Sequence, residues 1–275
     1  MSDFDQLFAA IEAQNEGNLH IAAIEVSSGQ TWMRRASEKV STASTIKLPI
    51  LMHTAMCVEE GKLAWDKDIM LHNGDVVPGM GVLRHMKTPR CLTLYDVCYL
   101  MTAISDNTAT NLAIDAVGVP EVNRRIDSFG LAHTRLHRKV FHPDTDESRE
   151  FGLGVSTAFD MMRMMQIIYA PDSIPAAEAS KIQFPGTIAL QDMRKMLELQ
   201  QDLVGVARVL PPDWTYAGKT GRITSTRAEA AFVSAPDGRQ WAIGIFSFGH
   251  TKPDWSIQHE GLLAIGEATK IITGL

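Results

Sequence analysis

The sequence predicts an α+β fold of sandwich type, in which the N- and C-terminal segments form one antiparallel sheet and an all-helical block is inserted between them. Two observations lead to this expectation. Apolar residues recur at helical spacing through the middle of the chain, whereas strand-like runs of apolar, β-branched and aromatic residues lie near its two ends. With 275 residues, 45% of them hydrophobic, the chain can bury a large core. We therefore expect a single domain over 1–275, with a sheet subdomain at about 1–43 and 205–275 and a helical subdomain at about 44–204.

At the N-terminal end we expect one helix and then two strands. The segment MSDFDQLFAAIEAQNEGN places Phe4, Leu7, Phe8 and Ile11 on one helical face. The following LHIAAIEVSSGQTWMRRA predicts two strands around a Ser-Ser-Gly-Gln turn. The helical block then contains segments at about 45–60, 94–104, 107–117, 119–128, 156–169 and 190–202.

The C-terminal part predicts strands followed by a last helix. The segments WTYAGKTG, RAEAAFVSAP and QWAIGIFSFG read as three antiparallel strands, the last two joined at Pro236-Asp237-Gly238. A helix is expected in IQHEGLLAIGEATKIITGL. Within the helical block, HRKVFHPDTDESREFGLG is polar and contains proline and glycine, which predicts a long loop of the kind that is often functional.

Charge and cysteine content limit the classes of partner. The net charge is −6 and no basic stripe is present, so neither nucleic acid nor an anionic membrane surface is an expected partner. No apolar run reaches the roughly 20 residues of a membrane helix. The three cysteines form no metal or disulfide pattern, and the N-terminal segment lacks a basic n-region, so we expect reduced thiols and a cytoplasmic protein. His133 and His137 lack a third ligand, so neither a metal nor a cofactor is expected, and the oligomeric state is not predicted.

A serine and a lysine lie three residues apart where the first buried helix is expected to begin, as Ser44-x-x-Lys47. On a helix this spacing places both side chains on one face. The positive end of the helix dipole and burial both lower the pKa of a lysine amine, which can then accept a proton from a serine hydroxyl. Taken alone, the motif is more simply explained by a lysine whose amine extends to solvent from the helix end.

Two further triplets accompany this motif. Ser105-Asp106-Asn107 lies between two predicted helices, and Lys219-Thr220-Gly221 lies on a predicted edge strand. Individually, each has a simple structural explanation, since aspartate and asparagine are common helix N-caps. Together, the three motifs and their flanking segments resemble the class A serine β-lactamases and the penicillin-binding transpeptidases. The similarity runs from about 18 to 270 and includes ASTIKLPIL, SDNTATNLAID, TRLHRK and AGKTG.

This resemblance implies a catalytic role for four residues. Ser44 would be the nucleophile that forms an acyl-enzyme, and Lys47 would act as its base or proton relay. Ser105 would pass a proton to the leaving group, and Lys219 would lower the pKa of Ser105 electrostatically. The catalytic set is therefore Ser44, Lys47, Ser105 and Lys219.

The same resemblance implies four substrate-binding residues. Asn107 would hydrogen-bond a substrate amide, while Thr220 and Gly221 would lie beside a substrate carboxylate or carbonyl. The backbone N–H groups of Ser44 and Arg222 would form the oxyanion hole. Together with Lys219 and Arg222, Arg227 indicates an anionic group on the substrate. Residues 76–86 should border the cleft, with Met80 and Val82 as an apolar wall.

One feature departs from the class A pattern. The glutamate that activates the deacylating water in that family corresponds here to about Val140, and the chain contains no E-x-x-L-N sequence. Asp144, Asp146, Glu147 and His142 are nearby alternatives, although a solvated charged loop explains them more simply. The closing half of this loop also lacks the aspartate that would be expected to pair with Arg138.

Three functions are consistent with these residues. The first is a serine hydrolase that acts through an acyl-enzyme on a small-molecule ester or amide, β-lactam-like or peptide-like, with weak or no β-lactamase turnover. The second is a β-lactamase that uses another loop acid for deacylation. The third is a penicillin-binding or sensor protein that has kept the pocket without turnover.

Overall fold

The chain folds around a five-stranded antiparallel sheet whose strands come from both ends of the sequence. The computed structural model describes residues 3–275, and their strands form this sheet and two small sheets. The strands are β1 (Asn18–Glu25), β2 (Thr31–Arg34), β3 (Val40–Ser41), β4 (Asp68–Leu71), β5 (Arg90–Thr93), β6 (Arg135–Leu136), β7 (Gly154–Ser156), β8 (Thr215–Ile223), β9 (Thr226–Ser234) and β10 (Gln240–Phe248).

The helices of the described residues lie mostly between β3 and β8. They are α1 (Asp3–Glu12), α2 (Lys47–Glu59), α3 (Leu94–Ala103), α4 (Asn107–Val117), α5 (Val119–Ser128), α6 (Ser148–Phe151), α7 (Ala158–Tyr169), α8 (Ala176–Ala179), α9 (Thr187–Leu197) and α10 (Glu260–Thr273). Among these described residues, no helix combines the length and the apolar character that crossing a membrane requires.

The large sheet has the strand order β2-β1-β10-β9-β8. All four pairings are antiparallel, and β1 joins β10 along its whole length, from Asn18 opposite Phe248 to Glu25 opposite Trp241. The N-terminal and C-terminal segments therefore form one sheet, as the sequence predicts, and β8 is an edge strand. The predicted α+β class is confirmed.

Alternation along the strands divides the core into two layers. On β10, Trp241, Ile243 and Ile245 pack with α1 and α10 on one face, while Ala242 and Phe246 pack with α7 on the other. The methionine-rich helix α7 is buried almost all round, so its methionines fill the core between the sheet and the other helices.

Two predicted boundaries differ from the structure for identifiable reasons. The first long helix begins at Lys47, because Ala43–Ile46 form a 3₁₀ turn before it. The helix expected at about 190–202 is α9, which begins at Thr187 and ends at Leu197. Its first N–H groups are satisfied by the carboxylate of Glu59 at the end of α2, which accepts bonds from the backbone of residues 186, 188 and 189. The two small sheets were not expected.

Candidate active site

The amine of Lys47 lies in the protein interior, where three oxygen atoms surround it. Its Nζ is 2.7 Å from the carbonyl oxygen of Ser105, 3.0 Å from the Ser105 hydroxyl and 3.0 Å from Oδ1 of Asn107. Lys47 is only 1% exposed. The lysine therefore does not extend to solvent from the helix end, which is the simpler explanation that the isolated motif allowed.

The Ser105 hydroxyl lies between two amines. Lys47 Nζ is 3.0 Å away and Lys219 Nζ is 3.2 Å away. Lys219 is fully buried on β8, and its amine also donates to the carbonyl oxygen of Thr220 at 2.9 Å. Ser105 thus connects a helix amine with a strand amine, in the position that a proton relay would need.

Burial dominates the protonation of both lysines. It holds the pKa of Lys47 well below its usual value, and the neighbouring charge of Lys219 acts in the same direction against that of Asp106. Burial lowers the pKa of Lys219 to about 7, although the charges of Asp202 and Glu229 oppose this change. A neutral amine can accept a proton, so the pair can supply a base near neutral pH.

The turn that carries Ser44 packs directly against β8. A methyl group at Gly221 would lie 2.8 Å from the carbonyl oxygen of Thr42 and 2.9 Å from the backbone nitrogen of Ser44. Only glycine permits this close approach. Ser44 itself is partly exposed, unlike the lysines. The structure therefore brings the Lys219-Thr220-Gly221 strand against the Ser44 turn, and Lys47 against Ser105 and Asn107.

Backbone strain is concentrated around these residues. Among the described non-glycine residues, those with positive φ are Arg35, Ala43, Ser105 and Phe141. Ala43 (φ 47°) precedes Ser44, and Ser105 (φ 59°) is the residue between the two amines. Such conformations cost on the order of 1–3 kcal/mol each and occur often at functional sites.

Asp106 and Asn107 fasten the loop at residues 76–86 to the start of α4. Asp106 caps α4 through Ala109 N–H at 2.9 Å, and its other oxygen accepts the N–H groups of Val82 and Leu83 at 2.7 and 2.9 Å. The N-cap interpretation of Asp106 is therefore correct, and the residue has a second task. Asn107 donates its backbone N–H to the carbonyl oxygen of Met80 at 2.9 Å. The side chains of Met80 and Val82 are 57% and 42% exposed at this edge.

The main chain at residue 140 is held by one side chain of α4. Asn111 Oδ1 accepts the Val140 N–H at 2.8 Å, and Asn111 Nδ2 donates to the Val140 carbonyl oxygen at 3.0 Å. The next residue, Phe141, is 60% exposed, and its ring lies 3.3 Å from a methyl group built at Gly79. That methyl group would lie 2.7 Å from Asn107 Nδ2, so Phe141 borders the region of Asn107, a position that the motif comparison did not predict.

The acids of the polar loop point mostly into solvent. Asp144 is 61% exposed and forms an ion pair of 2.9 Å with Arg138, and it also accepts a hydrogen bond from Ser148 at 3.1 Å. Arg138 therefore has a partner, which comes from the first half of the loop and not from the closing half where the sequence comparison looked for one. Asp146 pairs with Arg149 at 3.0 Å. Hydrogen bonds from its own backbone and from Thr145 lower the pKa of Glu147, which makes it a weaker base.

The arginines near β8 are already paired. Arg222 forms an ion pair with Asp202, and Arg227 donates to the carbonyl oxygens of Ile223 and Asp254. Their guanidinium groups are therefore less available to a substrate anion than the sequence suggested, while the backbone N–H of Arg222 remains the proposed oxyanion donor.

A buried carboxyl lies behind the Lys219 strand, and sequence analysis did not single it out. Glu229 on β9 stands opposite Thr220 of β8 and is 1% exposed. Tyr216 donates its hydroxyl to Oε1 at 2.6 Å, and the Val206 N–H donates to Oε2 at 2.9 Å. Burial raises the pKa of Glu229 to about 7. A glutamate within an apolar strand pattern was the available signal.

Comparison with known proteins agrees with this arrangement. The model of a family described as the β-lactamase enzyme family matches residues 3–274. The β-lactamase AER-1 of Aeromonas hydrophila is 24% identical over 275 residues, which cover 98% of this chain and 86% of that protein. The β-lactamase CARB-3 of Pseudomonas aeruginosa is 24% identical over 222 residues, which cover 79% and 72% of the two proteins.

Solved structures share the fold. A β-lactamase from Sphaerobacter thermophilus has a TM-score of 0.82 and 28% identity, and the match covers 99% of this chain and 97% of that one. A mutant of PBP-A in an acyl-enzyme complex with penicillin G has a TM-score of 0.79 and 21% identity, covering 98% and 94%.

Proposed function

Because this chain belongs to the β-lactamase enzyme family and is a serine hydrolase of that superfamily, we propose that it forms a covalent acyl-enzyme on Ser44 and releases it slowly. The substrate is a small-molecule ester or amide, including β-lactams, and β-lactam turnover is weak or absent. The observation that carries this proposal is the pairing of a Ser105 hydroxyl within 3.2 Å of both lysine amines with a valine at residue 140.

Acylation uses groups that the cleft provides. Ser44 Oγ attacks the carbonyl carbon as its proton moves to the neutral amine of Lys47, and the backbone N–H groups of Ser44 and Arg222 stabilise the oxyanion. As the intermediate collapses, the bond from carbon to the leaving nitrogen or oxygen breaks. Ser105 then delivers a proton to that atom and is reprotonated by Lys47. Asn107 and Thr220 bind the substrate beside this centre.

Release of the acyl group is the step that lacks an obvious base. Hydrolysis needs a water molecule that loses a proton as it attacks the ester carbonyl. Val140 cannot accept that proton, and Asp144 is occupied by Arg138. For this reason the loop acids support the slow-release proposal better than they support an efficient β-lactamase.

Intact-mass spectrometry tests the acylation step. We expect the protein, incubated with penicillin G, to gain the mass of one penicillin molecule, and peptide mapping to place it on Ser44. Ser44→Ala should lose the adduct completely, whereas Ser180→Ala, at an exposed serine distant in sequence from the motifs, should keep it. Absence of an adduct with both penicillin G and a fluorophosphonate would contradict the proposal.

The lifetime of the adduct tests the release step. After removal of free penicillin, we expect the adduct mass to persist over many minutes and nitrocefin hydrolysis to remain near the uncatalysed rate. Rapid loss of the adduct together with nitrocefin turnover would instead identify an efficient β-lactamase. Asp144→Asn and Glu147→Gln would then show which loop acid is responsible.

We also propose a cytoplasmic location. Cys57, Cys91 and Cys98 are all free thiols in the described chain, as is usual in a reducing compartment. Alkylation of unreduced protein from cells measures this directly, because all three thiols should react after unfolding without added reductant.

A further inference from the structure

A second cluster of polar groups lies where the N-terminal segment meets the loop before α10. One ligand atom each from Glu16, His250 and Glu260 lies within 4.8 Å of the other two. Glu16 precedes β1, His250 follows β10, and Glu260 is the first residue of α10. The group therefore joins three separate segments of the chain, and none of its members belongs to the Ser44 site.

The imidazole of His250 is fixed from several sides. Its side chain is 1% exposed, and methyl groups built at Gly17 and Gly261 would both lie 2.5 Å from Nε2. Glycine at these two positions is what leaves room for the ring. Nε2 is 2.9 Å from the hydroxyl of Ser247, and Nδ1 is 3.2 Å from Oε1 of Glu260. A buried histidine whose second nitrogen is held by a hydrogen-bond partner is typical of metal ligands.

The two carboxylates converge on this ring without a basic side chain between them. In residues 3–275, no lysine or arginine forms an ion pair with Glu16 or Glu260, and His250 is the basic group that meets Glu260. Neutral donors hold the carboxylates in place. Thr251 donates its backbone N–H and hydroxyl to Glu16, and the Glu16 N–H donates to Oε1 of Glu260 at 3.0 Å. Two like charges are thus positioned together beside a single imidazole.

We propose that Glu16, Glu260 and Nδ1 of His250 bind one first-row divalent cation, with Zn²⁺ as the best match, and that water completes its coordination. Imidazole nitrogen and carboxylate oxygen are common zinc ligands, with metal–ligand distances of about 2.0–2.2 Å. Tetrahedral ligands at such distances stand roughly 3.3 Å apart. The separation of 3.2 Å between Nδ1 and Oε1 of Glu260 matches this value, and a rotation of the exposed Glu16 side chain brings in the third ligand.

Ser247, His250 and Glu260 also have the connectivity of a catalytic triad, but the serine cannot act as a nucleophile. Ser247 is fully buried, and Gly17 and Gly261 close the space around it. Its hydroxyl instead orients the ring, accepting a hydrogen bond from Nε2 so that Nδ1 presents a lone pair to the cation.

The cation would connect the chain ends to the strand that carries Lys219. Gly249, beside His250, donates its N–H at 2.9 Å to the carbonyl oxygen of Ser225 in the turn between β8 and β9. Arg227 donates to the carbonyl oxygen of Asp254 in the same loop. The cation thus stabilises the loop that supports this turn, and the proposal does not depend on the function of Ser44.

Isothermal titration of metal-stripped protein with ZnCl₂ tests this site. We expect one Zn²⁺ per chain, and Glu16→Gln or Glu260→Gln should weaken binding more than about 100-fold, because each removes a ligand. Ser247→Ala should weaken it about 10–100-fold, since it leaves the ligands and removes only the partner of Nε2. Glu38→Gln is the matched control, because Glu38 is exposed and lies 3.9 Å from His20 without a third ligand.

Thermal unfolding gives a second measurement that does not involve catalysis. At a Zn²⁺ concentration about 100 times its Kd, we expect the Tm of the full chain to rise by about 5 °C, and the Tm of Glu16→Gln to stay constant. Because Glu16 is exposed, this variant should fold normally. The proposal is overturned by wild-type protein that shows no saturable binding, or by equal Zn²⁺ affinity in wild type, Glu16→Gln and Glu260→Gln.

Discussion

The amines and the carboxylates of the two walls of the cleft lie in opposite environments. On one wall, Lys47 and Lys219 are sealed from water and share the hydroxyl of Ser105. On the other wall, Asp144 and Asp146 have side chains that are 61% and 86% exposed, and each is paired with an arginine. Burial makes the lysines better bases than free lysine would be near pH 7, whereas hydrated, paired carboxylates remain weak bases.

This difference separates the two halves of the proposed reaction. Formation of the acyl-enzyme needs proton transfers among Ser44, Lys47 and Ser105, for which the buried wall is equipped. Hydrolysis needs a base beside the acyl carbonyl, which the exposed wall does not supply at residue 140. Both walls can be changed independently, so each can be tested without altering the other.

The largest effect is expected from removing a buried amine. Lys47→Met should lower the rate of acylation by penicillin G about 10²–10⁴-fold, because the proton of Ser44 loses its acceptor. Lys219→Met should also slow acylation, and it should move the acidic limb of the pH–rate profile to higher pH. The charge of Lys219 lowers the pKa of Lys47, so its removal raises that pKa and protonates the base over a wider range.

Stopped-flow acylation rates between pH 5 and 9 measure both changes. Lys195→Met, which removes an exposed lysine, is the control and should leave the rate and the profile unchanged. An acidic limb at the same pH in Lys219→Met and wild type would show that the two amines do not influence each other.

The next effect concerns the exposed wall. Val140→Glu should raise the rate of acyl-enzyme release on the order of 10²-fold, because it places a carboxylate where the resemblance predicts the deacylating base. Val140→Gln is the isosteric control and should leave release slow. Decay of the penicilloyl mass after removal of free penicillin measures both, and equal decay rates in the two variants would show that the absence of an acid at residue 140 is not what limits release.

A smaller effect is expected at the contact between the walls of the Ser44 turn. Gly221→Ala would place a methyl group 2.9 Å from the backbone nitrogen of Ser44, so either the turn or β8 must shift. We expect acylation to slow by about 10–100-fold, since displacement of an oxyanion donor has costs of this order. Gly74→Ala, at an exposed glycine with open space around it, should acylate like wild type.

The smallest effect is one of stability. Glu229 has a pKa of about 7 in the folded chain and 4.5 in the unfolded chain, so its stabilising contribution is complete below pH 4.5 and is lost as the pH rises through 7. Between pH 4.5 and 8, wild type should therefore lose on the order of 1–3 kcal/mol more stability than Glu229→Gln. Urea unfolding at both pH values measures this, with the exposed Glu198→Gln as control. Parallel curves for wild type and Glu229→Gln would contradict it.

The sequence predicts those features that depend on local pattern. The antiparallel strands, the order of the helices and the capping role of Asp106 all follow from residue spacing, and the structure contains them. Features that depend on distant residues were not predictable in this way. The start of α9 is set by Glu59, more than 120 positions earlier, and no local signal at residues 186–190 indicates it.

The geometry of the site divides along the same line. Motif order identified the residues that meet at Ser105, but the positive φ angles of Ala43 and Ser105 have no signal in side chains that normally adopt negative φ. Phe141 was missed because the comparison at this point concerned the missing acid at residue 140. Its position beside Asn107 becomes evident only when the loop is packed against α4.

Asn111 holds residue 140 entirely through main-chain atoms, since its amide bonds to the N–H and the carbonyl oxygen of that residue. The anchorage is therefore indifferent to which side chain is attached there. Some valine and glutamate codons differ by a single base, so one mutation could exchange the two residues while the loop keeps its shape. In evolutionary terms, a protein that retains its acyl group and an enzyme that hydrolyses antibiotics would then be immediate neighbours, accessible from each other in either direction.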